Sequence, residues 1–362
     1  AQVFSSPSVC NHQRETVIGI LMLIVVLHAL LSSTSALEDS APWIGILGLP
    51  ADVECDSLLQ KSGLTASLSH TSCFTNVYDE WVRSAGARAV GIPHDALDTN
   101  RSALDELLQS VNGVVFTGGG LDLGDTAMPY YRTGRYIFEW VQRTNDAGIH
   151  YPLTGHCMGF QFLAVLASGD NSSVLLRNSF DSEDMSLPLN WTAGAPRSRW
   201  LKRMPLLVKQ VFSNERSTTN LHHDGVTPSS FAGSAQLSKF FDVLSTNLDR
   251  KGNEFISTME AKRYPILAVQ WHPERNQFDW SADEGINHSS NAVVANAWTA
   301  FDFVAEARQN RPSTRNWKLL RELNTHSMQQ SHVGDALDGM AYLMYGGFHS
   351  VSDLQSQSSV VI

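Results

Sequence analysis

Apolar residues change their spacing along this chain, predicting strands that alternate with helices and then a stretch richer in strands. Pro42-Trp-Ile-Gly-Ile-Leu-Gly reads as a first buried strand, with Leu49 to Thr71 as a long polar loop behind it. Phe74, Val77, Tyr78, Trp81 and Val82 recur at helical spacing and mark one face of a helix ending at Gly86. A strand from Ala87 to Ile92 follows, closed by Pro93, and then a helix carrying Leu104, Leu107, Leu108 and Val111. Gly113-Val-Val-Phe-Thr-Gly-Gly-Gly is a strand running into a glycine turn, and Ile137, Trp140 and Val141 mark a third helix. The next strand starts at Tyr151. It ends where Phe160, Leu163, Ala164 and Ala167 resume helical spacing, with Gly155, Cys157 and Gly159 at the junction.

From Val174 to Gln270 the runs shorten and turn β-branched: Val174-Leu-Leu, Leu206-Leu-Val-Lys-Gln-Val-Phe, Phe241-Asp-Val-Leu-Ser-Thr, Phe255-Ile-Ser-Thr-Met and Ile266-Leu-Ala-Val-Gln-Trp. They predict a largely antiparallel half. Val294, Ala297, Trp298, Phe301, Val304 and Ala305 form a long closing helix; beyond Asn310 the chain is polar, with one apolar patch from Met340 to Tyr345. The fold class is therefore α/β: a mostly parallel sheet covered by helices on both faces, with antiparallel strands added in the C-terminal half. The expected division is a leader over 1–36, a catalytic domain over 42–312 and a tail over 313–362.

Composition narrows the partners. A net charge of −10 argues against nucleic acid or an anionic membrane surface. Val17 to Leu31 is an apolar run followed by Ser32-Ser-Thr-Ser-Ala36, which suits a signal-peptide core better than a membrane span; a retained anchor is the alternative. Asn100-Arg-Ser, Asn171-Ser-Ser, Asn190-Trp-Thr and Asn287-His-Ser are glycosylation sequons, so secretion or delivery to a lysosome-like or vacuolar lumen is expected. Removing the leader removes Cys10 and leaves Cys55, Cys73 and Cys157. A Cys55–Cys73 bridge would leave Cys157 as the free thiol; the alternative is that both are unpaired.

Cys157 is the candidate nucleophile. Glycines two residues away on either side permit the close packing of a sharp strand-to-helix turn, and the helix N-terminus suits a thiolate. A cysteine nucleophile needs a base and a group that orients it, and Trp271-His-Pro-Glu supplies His272 and Glu274 at the end of a strand. Alternation along an extended backbone puts both on one side. His156 is a poor base for Cys157, since neighbouring side chains on a tight turn point apart. His222 and His223 in Asn220-Leu-His-His-Asp-Gly lack a third ligand at useful spacing, so substrate contact or surface exposure fits them better than a metal.

Phe116-Thr-Gly-Gly-Gly-Leu-Asp-Leu, Thr154-Gly-His-Cys-Met-Gly-Phe-Gln, Leu187-Pro-Leu-Asn-Trp-Thr and Val269-Gln-Trp-His-Pro-Glu, in this order, resemble the gamma-glutamyl hydrolases of the class I glutamine amidotransferase-like superfamily. The resemblance runs from about Pro42 to Arg308. It implies Cys157 as nucleophile, His272 as general acid/base and Glu274 as its orienting partner. It further implies that backbone N–H groups of Gly118 or Gly119 and of Met158 form the oxyanion hole, and that His222 lies on the substrate side. Two positions depart from the family pattern: Thr117 stands where proline is usual, and His156 where a small β-branched residue is common. The implied activity is cleavage of γ-glutamyl bonds in folate poly-γ-glutamates, by a homodimer, with no metal or organic cofactor. The rival readings are a glutaminase module feeding ammonia to a synthase and a glycosylated binding protein with a dead triad.

Overall fold

The structure, a computed structural model, describes residues 41–51, 70–281, 284–332 and 341–346. β1 (Trp43–Leu47) is buried at every position, and its alternating side chains decide which helices cover each side of the sheet. Ile44 and Ile46 pack with Val77, Trp81 and Phe303, while Trp43 and Leu47 pack with Leu104, Leu108, Tyr130 and Ile137. One face is thus covered by α1 (Asn76–Ser84) and α6 (Ser290–Ala307), the other by α2 (Arg101–Ser110) and α3 (Pro129–Asp146).

β1 pairs in parallel with β2 (Arg88–Ile92) and β3 (Gly113–Phe116), and β4 (Leu153–His156) and β8 (Ile266–Val269) continue the parallel run. β7 (Glu254–Ala261), β6 (Phe241–Leu248) and β5 (Asn190–Trp191) extend it antiparallel, giving the order β2-β1-β3-β4-β8-β7-β6-β5. This is the expected fold class. Val269 opposes His156 in the β8–β4 register, so the loops leaving both strands start side by side beyond their carboxyl ends, where such sheets carry their sites. A two-stranded sheet of Met185–Leu187 and Thr218–Asn220 and a four-stranded one of Gln329–His332, Ala341–Gly346, Thr71–Thr75 and Leu49–Pro50 complete the described strands.

Several expectations change. Leu49 to Thr71 is not a loop throughout, because its two ends are strand residues paired with each other, while 52–69 lie outside the described residues. Phe74 belongs to the strand before α1 rather than to the helix. The Leu206 run is not a strand but α5 (Leu206–Asn214): Val208, Val211 and Phe212 share its buried face at three- and four-residue spacing, while Leu206 and Leu207 are 71% and 60% exposed. Val174 closes a 3-10 turn, and Leu176 makes only an isolated bridge to Gly225.

The closing helix α6 is present, yet it turns a different face inward. Val294 and Phe301 are each 53% exposed, whereas Ala292, Ala295, Asn296, Thr299 and Ala307 are buried with Phe303 and Val304. Small and hydrogen-bonded residues let this helix approach closely: Asn296 Nδ2 donates to the Ser217 carbonyl, and Trp81 Nε1 donates to Thr299 Oγ1. The apolar patch after Met340 forms the strand Ala341–Gly346. The expected leader and Cys55 lie outside the described residues; Cys73 is disulfide-bonded and Cys157 is free.

Candidate active site

Between β4 and α4 (Met158–Ala167) there is one residue, Cys157, and it carries the change of direction alone, at φ 51° and ψ −109°. A side chain in this region costs about 1–3 kcal/mol and persists only where the surroundings hold it. Here the Cys157 N–H donates to the Val269 carbonyl at 2.9 Å and its own carbonyl accepts from Gln161 at 3.1 Å, tying the turn to β8 and to the helix. The flanking glycines take ordinary φ and serve close approach. A β-carbon on Gly155 would lie 2.5 Å from the Gly159 carbonyl oxygen. Every residue of α4 is buried, so the helix beneath the sulfur is anchored in the core.

β8 stops at Val269, and the turn after it carries His272 and Glu274. They meet through this turn rather than through strand alternation: His272 Nδ1 lies 2.6 Å from Glu274 Oε1, and the His272 N–H donates to the Thr219 carbonyl at 2.9 Å. Both side chains are buried. Burial alone would lower the His272 imidazole, but the facing Cys157 sulfur and the Glu274 carboxylate raise it to about 10, through charge and through hydrogen bonds to both. Burial alone would raise Glu274; the His272 imidazolium and hydrogen bonds from His156 and His272 instead hold it well below the usual carboxylate range. An ionised carboxylate only accepts, so Nδ1 of His272 carries a proton toward it and Nε2 is left for the sulfur. His156 turns away from Cys157, with Nδ1 3.0 Å from Glu274 Oε2.

The glycine turn after β3 faces this group. The Gly118 N–H donates to the Tyr78 hydroxyl at 2.6 Å, whereas Gly119 and Met158 line a cavity of about 390 Å3 together with Cys157. Leu121 N–H donates to Met158 Sδ at 3.2 Å, which fastens the turn to the start of α4. His222 lines the same cavity at the end of the loop from Thr218–Asn220. Its Nδ1 lies 2.9 Å from the Asp224 carbonyl, its Nε2 is buried without a hydrogen-bond partner, and burial pushes its imidazole down to about 3. His222 is therefore neutral, with Nε2 as an unused acceptor. The Cys157 thiol also lies 3.8 Å from the Leu221 carbonyl of this loop.

Sequence reasoning missed Tyr78, which it read only as part of an apolar helix face, and the cavity residues Gln161, Arg177 and Asp122. Gln161 Nε2 donates to the Asp224 carbonyl at 3.0 Å, and Arg177 pairs with Asp122 at the rim. Gln161 lies one helical turn beyond Cys157, and that spacing was the available signal. Among the described residues no group of three His, Cys, Asp or Glu side chains forms a metal site.

Residues 48–274, which hold the glycine turn, the cysteine turn and the His-Pro-Glu segment, match the family model described as peptidase C26. The chain belongs to the peptidase C26 family. Its relatives within reach of sequence include gamma-glutamyl hydrolase of Mus musculus, 41% identical over 233 residues, covering 64% of this chain and 70% of that protein. Gamma-glutamyl hydrolase B of Dictyostelium discoideum is 32% identical over 301 residues and covers 82% of each chain. Gamma-glutamyl hydrolase of Homo sapiens is 36% identical over 233 residues, covering 64% of this chain and 70% of that protein. Among solved structures, a putative GMP synthase protein of Thermoplasma acidophilum aligns with a TM-score of 0.41 and 15% identity, over 74% of this chain and 94% of that one.

Proposed function

We propose that this chain is a γ-glutamyl hydrolase that cleaves folate poly-γ-glutamates through a Cys157 thioester. The observation that carries the reading is the linked order of Cys157, His272 and Glu274, in which a free thiol on a strained turn hydrogen-bonds an imidazole whose other nitrogen meets a buried carboxylate. The sulfur attacks the γ-carbonyl carbon, and the oxyanion that forms takes the N–H groups of Gly119 and Met158, the cavity-lining pair. Gly118 is excluded from that role while its N–H serves Tyr78. His272 passes its Nε2 proton to the departing amine, the C–N bond breaks, and a γ-glutamyl thioester remains. Water then loses a proton to His272 and attacks the thioester, releasing the acid and restoring the thiol. The Nε2 acceptor of His222 takes an N–H of the substrate within the cavity.

The reading includes passage through the secretory route. Asn100, Asn171 and Asn190 are exposed, and Cys73 is disulfide-bonded, both suited to an oxidising lumen; no described helix is long and apolar enough to cross a membrane. It also includes a homodimer, supported by exposed Leu206 and Leu207 on α5 and exposed Phe301 on α6.

Incubating the purified protein with a pteroyl-poly-γ-glutamate and following the products by mass tests the activity. Shortened pteroyl-glutamates together with free glutamate or γ-glutamyl oligomers are expected. An unchanged substrate would remove the reading.

A further inference from the structure

The Glu274 carboxylate holds two imidazoles, one on each oxygen: His272 on Oε1 at 2.6 Å and His156 on Oε2 at 3.0 Å. All three side chains are buried, with Glu274 at 0% exposure, so solvent does not serve either oxygen. A buried carboxylate with one oxygen unserved is free to rotate about its last bond or to take up a proton, and either change removes the acceptor from His272. His156 is itself fixed by the core. Its ring stands edge-on to Trp81 at 5.0 Å and 88° and lies tilted against Tyr78 at 5.8 Å. Trp81 is tied in turn to Thr299 of α6 by its Nε1 at 3.1 Å.

We propose that His156 is a positioning residue of this site: its Nδ1–H holds the second oxygen of Glu274, so that the first stays on His272 and His272 stays aimed at Cys157. The inference rests on the Cys157–His272–Glu274 reading above. It makes the relay four residues long, with His156 touching neither substrate nor the reacting atoms. Being adjacent to the nucleophile in sequence, it supports the base from behind through the carboxylate.

A double-mutant cycle between His156 and Glu274, with kcat and KM read separately on a pteroyl-poly-γ-glutamate, tests this. His156→Val should lower kcat about tenfold and change KM by less than about twofold, because only the orientation of the base is lost. In a Glu274→Ala background the same substitution should cost less than about twofold, since there is no carboxylate left to hold. Equal losses in both backgrounds would overturn the inference, as would a wild-type kcat in His156→Val.

Two polar replacements decide the matter if the valine variant does not fold. His156→Asn places an amide N–H where Nδ1 stands and should recover most of the turnover. His156→Gln carries its N–H one bond further out and should not. Asn and Gln variants of equal activity would overturn the proposal. Cys157→Ala separates the two levels: turnover in that variant sinks the triad reading, whereas an inert Cys157→Ala beside a fully active His156→Val sinks only the role of His156.

Discussion

A β-carbon on Gly159 would stand 2.3 Å from the carbonyl oxygen of Phe116 and 2.8 Å from its carbonyl carbon. The first turn of α4 therefore rests on the backbone of β3, just before the glycine turn that faces Cys157. Backbone cannot swing aside as a side-chain tip does, so one methyl must push α4 away from the sheet. Gly159→Ala should destabilise the fold by about 1–3 kcal/mol, read by denaturant unfolding. Its kcat should fall further than its stability explains, because Cys157 and the Met158 amide move with the helix.

Cys157→Ala should remove turnover, with a loss of about 10^4-fold or more, while leaving folate polyglutamate binding largely intact. The thiol supplies the covalent step and little of the binding area. Glu274→Ala should cost less than His272→Ala, because the carboxylate orients and the imidazole transfers the proton. Calorimetric binding beside single-turnover assays checks the order. Equal losses at Glu274 and His272 would remove the distinction between them.

The His272 imidazole should titrate near 10 in the wild type and markedly lower in Cys157→Ala, because the facing sulfur is the largest influence that raises it against burial. Nitrogen NMR of the labelled ring reads this directly. A linked effect on stability follows from the sign of each shift. His272 is raised from 6.5 to about 10, so its contribution is complete below about 6.5 and is lost as the pH climbs through about 10. Glu274 is lowered from 4.5, so its contribution is complete above that value and is lost as the pH falls toward its depressed folded pKa. The stability difference between wild type and Glu274→Gln should therefore be greatest between about 4.5 and 6.5 and shrink on either side. A difference that grew up to pH 10 would contradict the assignment.

Substrate preference separates a hydrolase from an ammonia-releasing module, since both would form the same γ-glutamyl thioester. A site that reads the departing glutamate gains charge-assisted hydrogen bonds to its carboxylates, each contributing roughly 1.5–3 kcal/mol. One or two such bonds predict a kcat/KM for γ-Glu-Glu linkages about ten- to several-thousand-fold above that for free glutamine. Comparable constants for both, or activity that needs an added synthase partner, would favour the module.

How much of this was legible in the sequence depended on how local each signal is. The strand before Gly48, the cysteine turn and the His-Pro-Glu segment are short stretches whose meaning lies in their own residues. The Leu206 run misled because five apolar residues in seven satisfy both a strand and a helix. Its three-and-four stripe mattered only once α6 stood beside it. The inward face of α6 was hidden for the opposite reason: alanine, asparagine and threonine carry little apolar signal, and their value is to let helices approach. Tyr78 on Gly118 and His156 on Glu274 join segments far apart in the chain. No spacing rule reaches across such a gap.

The small sheet has a consequence for biosynthesis. Thr71–Thr75, which leads directly into the helix bearing Tyr78, takes its second neighbour from Ala341–Gly346. Growing from its N-terminus, the polypeptide has made every strand of the eight-stranded sheet by Val269, yet one edge of this early strand stays open until almost the last described residue is made. An open strand edge is a template for pairing with another chain. The nascent protein thus carries its aggregation hazard close to the N-terminal end of its catalytic fold, and the segment that closes it is made well after the catalytic residues.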